Sequence, residues 1–261
     1  MSFRSVNFAH LAKFNSATSS DFLDMYNSFV DRKIQERNEA PASKTFAPSS
    51  FRCNRLSWFR LRGTQPDHIK SVDRTLDFTA QIGTACHRII QSNLKEALGK
   101  DWIAVKDYLT ANPIPYQYKL TESEDTLETK VEILDPPIRF ACDGIVRFKG
   151  KYYLLEIKTS EFSSFRELVD PKEQHVDQIK CYATLLGLSG VLVVYQDRQY
   201  GDMKCYEMTI PEYEMDSVRS RFKYVQEMVE ANLAPDPLPK GDPWCTPAHC
   251  PYYEKCGQWG R

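Results

Sequence analysis

The chain has 261 residues, 42% hydrophobic and 26% charged, with a formal net charge of −1. That length can bury a core without a disulfide scaffold, and the near-neutral balance excludes a global attraction to polyanions, so any nucleic-acid contact must come from a local basic patch. No apolar run of about 18 residues could span a bilayer, and the start MSFRSVNFAHLAKFNSATSS lacks a secretory pattern, so a reducing, cytoplasmic setting without membrane association is expected.

Residues 1–48 are polar and Ser-rich and read as an extension preceding a domain over 49–261. Within it, Phe22, Met25, Tyr26, Phe29, Val30 and Ile34 recur at helical spacing, which predicts a helix over DFLDMYNSFVDRKIQER. A loop through EAPASKTFAPSS leads to a helix in SSFRCNRLSWFRLRG, capped by Ser49 or Ser50. A longer helix is expected in FTAQIGTACHRIIQSNLKEALG, with Ile82, Cys86, Ile89, Ile90, Leu94 and Leu98 as its buried stripe and Gly99 at its end. DWIAVKDYLTAN reads as a short helix stopped before Pro113.

The pattern then turns to strands. IRFACDGIVRF and KYYLLEIKTS, joined by a Lys-Gly turn, predict a hairpin. A helix in PKEQHVDQIKCYATLLGLSG, a buried strand VLVVYQD, a strand KCYEMTI and a long helix EYEMDSVRSRFKYVQEMVEANL follow. APDPLPKGDPW carries too many prolines for regular structure. This order implies an α/β fold with a mixed central sheet flanked by helices. No GxxxxGK[ST] loop is present, so the chain carries no recognisable nucleotide-driven motor.

Chemistry concentrates in the hairpin. Glu156 and Lys158 are two apart on one strand and point to the same face, while Asp143 lies on the preceding strand. Charges beside Leu154 and Leu155 need partners or a metal, and hard oxygen ligands suit Mg²⁺ or Mn²⁺. A solvated strand face with an i,i+2 ion pair is the alternative. His87 sits at the edge of its helix's apolar stripe, within reach of a cleft or simply a hydrogen-bonded boundary residue. Gln178 and Tyr182 are i,i+4, with His175 one turn earlier. They could contact a phosphate or hold the lysine, or Tyr182 could be core beside Ile179 and Leu185.

Cys245, Cys250 and Cys256 cluster near the end, and in a reducing compartment such a cluster points to metal or redox chemistry. His249 among them allows a Cys₃His zinc site. Cys86, Cys142, Cys181 and Cys205 read as buried thiols. Arg52, Arg55, Arg60 and Arg62 interleave with Trp58 and Phe59, a composition suited to single strands through phosphate contacts and base stacking. The alternative is helix core with a solvated arginine face.

The series GxxxHxxxQ (Gly83–Gln91), Asp143, Glu156-Ile157-Lys158 and QxxxY (Gln178–Tyr182) resembles, in order and spacing, the RecB-type PD-(D/E)xK nucleases. The resemblance runs from about residue 49 to 256 and implies a restriction-endonuclease-like core forming a nuclease domain. It implies that His87, Asp143, Glu156 and the Ile157 carbonyl hold Mg²⁺ or Mn²⁺ and that Lys158 serves the attacking water. Gln178 and Tyr182 would then position the lysine and the DNA strand, with Arg52, Arg55, Trp58 and Arg60 also on the DNA. Cys142 stands before Asp143 where the family name has Pro.

A subset of that family pins its C-terminus to the start of the nuclease domain with an iron–sulfur cluster, using one early cysteine and three late ones. By that resemblance Cys53, Cys245, Cys250 and Cys256 form a Cys₄ site for [4Fe–4S], with Zn²⁺ as the alternative, although Cys245 and Cys250 are spaced more widely than is common there. The implied function is a metal-dependent exonuclease on single-stranded DNA or DNA ends in recombination, repair or replication, in a bacterial or phage-infected cell. An annealing protein or helicase would be a natural partner. The alternatives are a CRISPR-adaptation-type trimming protein working with an integrase, and a non-catalytic metal-stapled DNA-binding module.

Overall fold

The computed structural model describes residues 16–39, 44–67, 73–123, 127–247 and 249–258. The expectations for 1–15 and 40–43 therefore lie outside the described residues. A five-stranded sheet has the order β1-β5-β6-β7-β8: Trp102–Ile103, Gly144–Phe148, Lys151–Ser160, Gly190–Asp197 and Met203–Thr209. Only β6 and β7 run parallel, so the sheet is mixed, as expected. A second, antiparallel sheet joins β2 (Tyr118–Glu122), β3 (Thr129–Ile133) and β4 (Ile138–Cys142).

The hairpin turn between β5 and β6 is Lys149-Gly150, both at positive φ (48° and 80°), the two-residue geometry that matches strand twist. IRFACDGIVRF is not one strand, however. IRFAC pairs with β3 in the small sheet, GIVRF with β6 in the large one, and Asp143 is the residue where the chain changes sheets. Gly144 follows because the Trp102 ring lies against it; a Cβ there would be 2.8 Å from the indole.

Helices cover both faces of the large sheet. On one side lies α3 (Arg74–Leu98), capped by the Asp73 carboxylate, which accepts from Leu76 N–H at 2.7 Å. Its Ile90 packs with Val146, Leu155, Ile157 and Val194. On the other side Ile145, Leu154, Val191 and Val193 meet α6 (Glu173–Leu186), with α7 (Glu212–Glu230) and α2 (Asn54–Leu61) behind it. The alternation along β5 to β7 is the period-two rule, with both faces buried.

Several expectations are corrected. α2 starts at Asn54 with Cys53 as its N-cap residue, because Pro48–Ser50 forms its own short 3₁₀ turn. Ile89 is exposed and Gln91 is fully buried, since the stripe of α3 rotates toward the loop at Asp143. The helix in DWIAVKDYLTAN shortens to α4 (Val105–Ala111), because Trp102 and Ile103 pair with Val146 and Ile145. β2, β3 and the short α8 (Tyr253–Gln258) had no counterpart in the sequence reading. α1 (Ser16–Asn38) buries Ile34, while Phe22, Met25, Tyr26 and Phe29 stay exposed. It is tied to α3 by Arg74 on Asp31 (2.6 and 2.5 Å) and by Arg37 on Asp77. Among the described residues, no helix is long and apolar enough to cross a membrane.

Candidate active site

Asp143 sits where the two sheets part, and both its ends are engaged. Its backbone carbonyl accepts from Gln91 Nε2 at 2.8 Å, and its Oδ2 accepts from Ile157 N–H at 2.6 Å. That leaves Oδ1, which is 3.4 Å from His87 Nδ1. Glu128, just before β3, approaches the same imidazole at 3.7 Å. Ligand atoms of His87, Glu128 and Asp143 all lie within 4.8 Å of one another.

Glu156 is 2% exposed in the middle of β6, and Lys158 Nζ lies 2.6 Å from its Oε1. Lys158 Nζ also donates to Gln178 Oε1 at 3.0 Å, and Gln178 Nε2 donates to the Tyr182 hydroxyl at 2.5 Å. Tyr182 stacks on Phe140 of the small sheet at 4.8 Å. The i,i+4 pair on α6 thus holds the lysine through one amide. Tyr182 is also core, 6% exposed.

The ionisable groups here shift one another. Burial pushes the Glu156 carboxyl up, and the neighbouring Asp143 adds to this, against Lys158 and His87. Burial pulls the His87 imidazole down, but Asp143 and Glu128 outweigh it and raise its pKa to about 9. Three carboxylates sharing so small a space need positive charge, and here His87 and Lys158 provide it. One imidazole with oxygen donors is a set that Mg²⁺ or Mn²⁺ accepts. Glu128 is the residue that sequence reasoning missed. No motif marks it, and only the unread strand TKVEI could have placed it.

The arginine–aromatic segment is arranged differently from the expectation. Trp58 is 1% exposed, its Nε1 donates to Met228 O at 3.2 Å, and Arg62 covers its ring at 4.6 Å. Arg55 is 4% exposed and donates to Pro235 O at 2.5 Å and to Cys256 Sγ at 3.8 Å. Packing of α2 under α7 and the C-terminal segment buries both. Arg52 and Arg60 line a cavity of about 440 Å³ that also includes Lys158 and Gln178.

All four cysteines of the expected metal site border that cavity. Burial raises the thiols of Cys53 and Cys250, the latter to about 11, with the neighbouring cysteines adding to the effect. His249 lines the cavity too, but its Nδ1 is 2.9 Å from Thr246 Oγ1. Cys142 and Cys181 are buried as expected, whereas Cys86 is half-buried and Cys205 exposed on β8.

No protein-family model matches the chain, and no curated protein does. Among solved structures it is similar to one described as the crystal structure of SSO0001, at 20% identity and a TM-score of 0.50, over 88% of this chain and 95% of that one. An alkaline exonuclease, LHK-Exo from Laribacter hongkongensis, matches at 14% identity and a TM-score of 0.38, over 76% of this chain and 93% of that one. The same enzyme in complex with dAMP gives 14% and 0.39 over the same shares. At these identities the likeness is one of fold.

Proposed function

We propose that the chain is a divalent-metal-dependent deoxyribonuclease of the PD-(D/E)xK type, acting as an exonuclease on single-stranded DNA or DNA ends. The observation that carries this reading is that His87 faces Asp143, which is held by Ile157 N–H of β6, beside the Glu156–Lys158 pair of the same strand, with Gln178 holding the lysine. His87, Asp143, Glu156 and the Ile157 carbonyl would hold the ion; Glu128 stands close to His87 and Asp143, the set whose ligand atoms lie within 4.8 Å of one another, and would join them. A bound Mg²⁺ or Mn²⁺ supplies charge on the phosphate and a lowered pKa for its water. Lys158, fixed between Glu156 and Gln178, would offer its ammonium to the phosphate oxygens and the charge that develops on them. Tyr182 fixes Gln178 and has no proton to give near neutral pH, because burial pushes its phenol far up.

The test uses single strands labelled at either end, with Mn²⁺, with Mg²⁺ and with EDTA. Wild-type protein is expected to shorten them from an end only with metal. Asp143→Ala and Lys158→Ala are each expected to slow cleavage by about 10²–10⁴-fold at an unchanged far-UV spectrum. Normal cutting by either folded variant would sink the assignment.

Cys53, Cys245, Cys250 and Cys256 are read as ligands of a [4Fe–4S] cluster. The support is that all four border one cavity, in which burial raises the thiols of Cys53 and Cys250; a bound metal would displace their protons. Protein purified without oxygen is expected to be brown and to contain iron, and Cys250→Ser to lose both. A colourless protein holding one zinc would refute the cluster and spare the nuclease.

A further inference from the structure

One polar group at this cleft has no role in the scheme above. His175 lies on α6 one turn before Gln178, and both side chains line the cavity that holds Lys158. Its Nδ1 is 2.7 Å from the hydroxyl of Tyr195, the β7 residue paired with Lys158 across the parallel ladder. That hydroxyl also accepts the Lys172 backbone N–H at 3.1 Å.

A phenol has one proton to donate, and Tyr195 is fully buried. With Lys172 N–H on one lone pair, the phenol proton is satisfied by His175 Nδ1. The opposite tautomer would aim a second donor at the same oxygen and strand the phenol proton in the core. His175 is therefore the Nε2–H tautomer. Burial, then the nearby Lys158 and Lys172, holds its pKa down to about 4, so the ring is neutral. Nε2 is 3.3 Å from the amide nitrogen of Gln174, so with Nε2 protonated that amide turns over and presents its oxygen to the ring. Gln174 is exposed, so a ligand oxygen can take its place. Arg52 lines the same cavity; its buried Nη1 makes no hydrogen bond, although Glu173 Oε2 is 3.3 Å away, while its Nη2 lies 3.7 Å from Asp242 Oδ2 and its guanidinium over the Trp244 ring at 5.7 Å.

We infer that His175 is a substrate-binding residue, a neutral hydrogen-bond donor to a phosphate of the bound strand next to the one that is cut, with Arg52 as the cationic donor of the same subsite. This deepens the nuclease reading and rests on it. The cavity already carries the Lys158 ammonium, paired with Glu156, and a neutral donor grips a phosphate oxygen without disturbing that pair.

The experiment is anisotropy of a fluorescent single strand with Ca²⁺ in place of Mg²⁺, so that binding is read without cutting, over a range of salt. His175→Phe is expected to weaken binding about 10-fold, and His175→Gln, which keeps a neutral donor, to restore most of it. Neither should change the slope of log Kd against log salt, because a neutral donor releases no counterion, whereas Arg52→Gln should lower the slope by about 0.7. Unchanged binding by folded His175→Phe overturns the inference, and so does a slope lowered by His175→Phe. Should that variant fail to fold, Tyr195→Phe, which releases the tautomer, is expected to weaken binding, and unchanged affinity there is equally fatal. Wild-type protein that neither binds nor cuts strands refutes the nuclease reading itself. Wild-type protein that does both, indifferent to these substitutions, refutes only the role of His175.

Discussion

Asp143 can face His87 with one oxygen because Ile157 N–H holds the other and Gln91 holds its backbone. Glu128 is held differently: its carbonyl accepts from Ser123 N–H at 3.2 Å, and its carboxylate reaches His87 from just before β3. Glu128→Gln keeps the size and removes the charge. It is expected to weaken Mn²⁺ binding by about 10-fold or more, read by electron paramagnetic resonance of the free ion, with little change in melting temperature. Unaltered Mn²⁺ affinity would place Glu128 outside the ion's shell. The contrast with Glu156 explains what the sequence disclosed. Glu156 and Lys158 are locked to one face by the strand period, and Gln178 and Tyr182 by the helix period, so local spacing found them. Glu128 depends on pairing between strands that are not adjacent to the motif. Arg55 and Trp58 were misread for the same reason, since an eight-residue helix does not announce which face α7 will cover.

At the scale of elements, α8 is tied to the segment after α2 by contacts that need no metal. Phe59 stacks on Tyr252 at 4.9 Å, and the Tyr252 hydroxyl donates to Thr64 O at 3.1 Å. Asp67 is the centre of this tie, accepting from Glu254 N–H at 2.6 Å, Lys255 N–H at 3.0 Å and Lys255 Nζ at 2.8 Å. Burial alone would raise its pKa, but Lys255 and the two peptide donors outweigh that and lower it. A carboxylate lowered on folding stabilises above its unfolded pKa of about 3.9 and loses that contribution as pH falls toward the folded value. Amide exchange over residues 252–257 is therefore expected to quicken below about pH 4 in the wild type, and already at neutral pH in Asp67→Asn. Equal protection in both proteins would show that other contacts carry the docking. The elements themselves were legible where one period ran unbroken, as in α6, α7 and β7. They were lost where charged residues interleave, as in YKLTE and TKVEI, whose lysines and glutamates occupy the outward positions of a sheet covered on one face only.

The whole molecule depends on keeping the two sheets in register, because the site draws Glu128 from the small one and Glu156 and Lys158 from the large one. Phe46 is one residue that ties the small sheet to α7. It is 1% exposed, pairs beside Ile138 of β4, and accepts a T-shaped contact with Phe222 of α7 at 5.1 Å. Its backbone N–H donates to Pro137 O at 2.8 Å, so its position is fixed at both main chain and ring. Nothing in EAPASKTFAPSS marks this residue, since a single apolar position in a Pro- and Ser-rich loop has no period to betray it. Truncating a fully buried phenylalanine costs about 3–5 kcal/mol through lost transfer energy and the cavity it leaves. Phe46→Ala is therefore expected to lower the melting temperature by about 2–4 °C per kcal/mol. Its second effect separates a local cavity from a loosened sheet. If Phe46 holds the small sheet in place, Mn²⁺ affinity should fall along with stability at temperatures where the protein is still folded. A loss of stability at unchanged Mn²⁺ affinity would mean that β2, β3 and β4 keep their place without it, and that the pairing of Asp143 with Ile157 alone fixes the two sheets relative to each other.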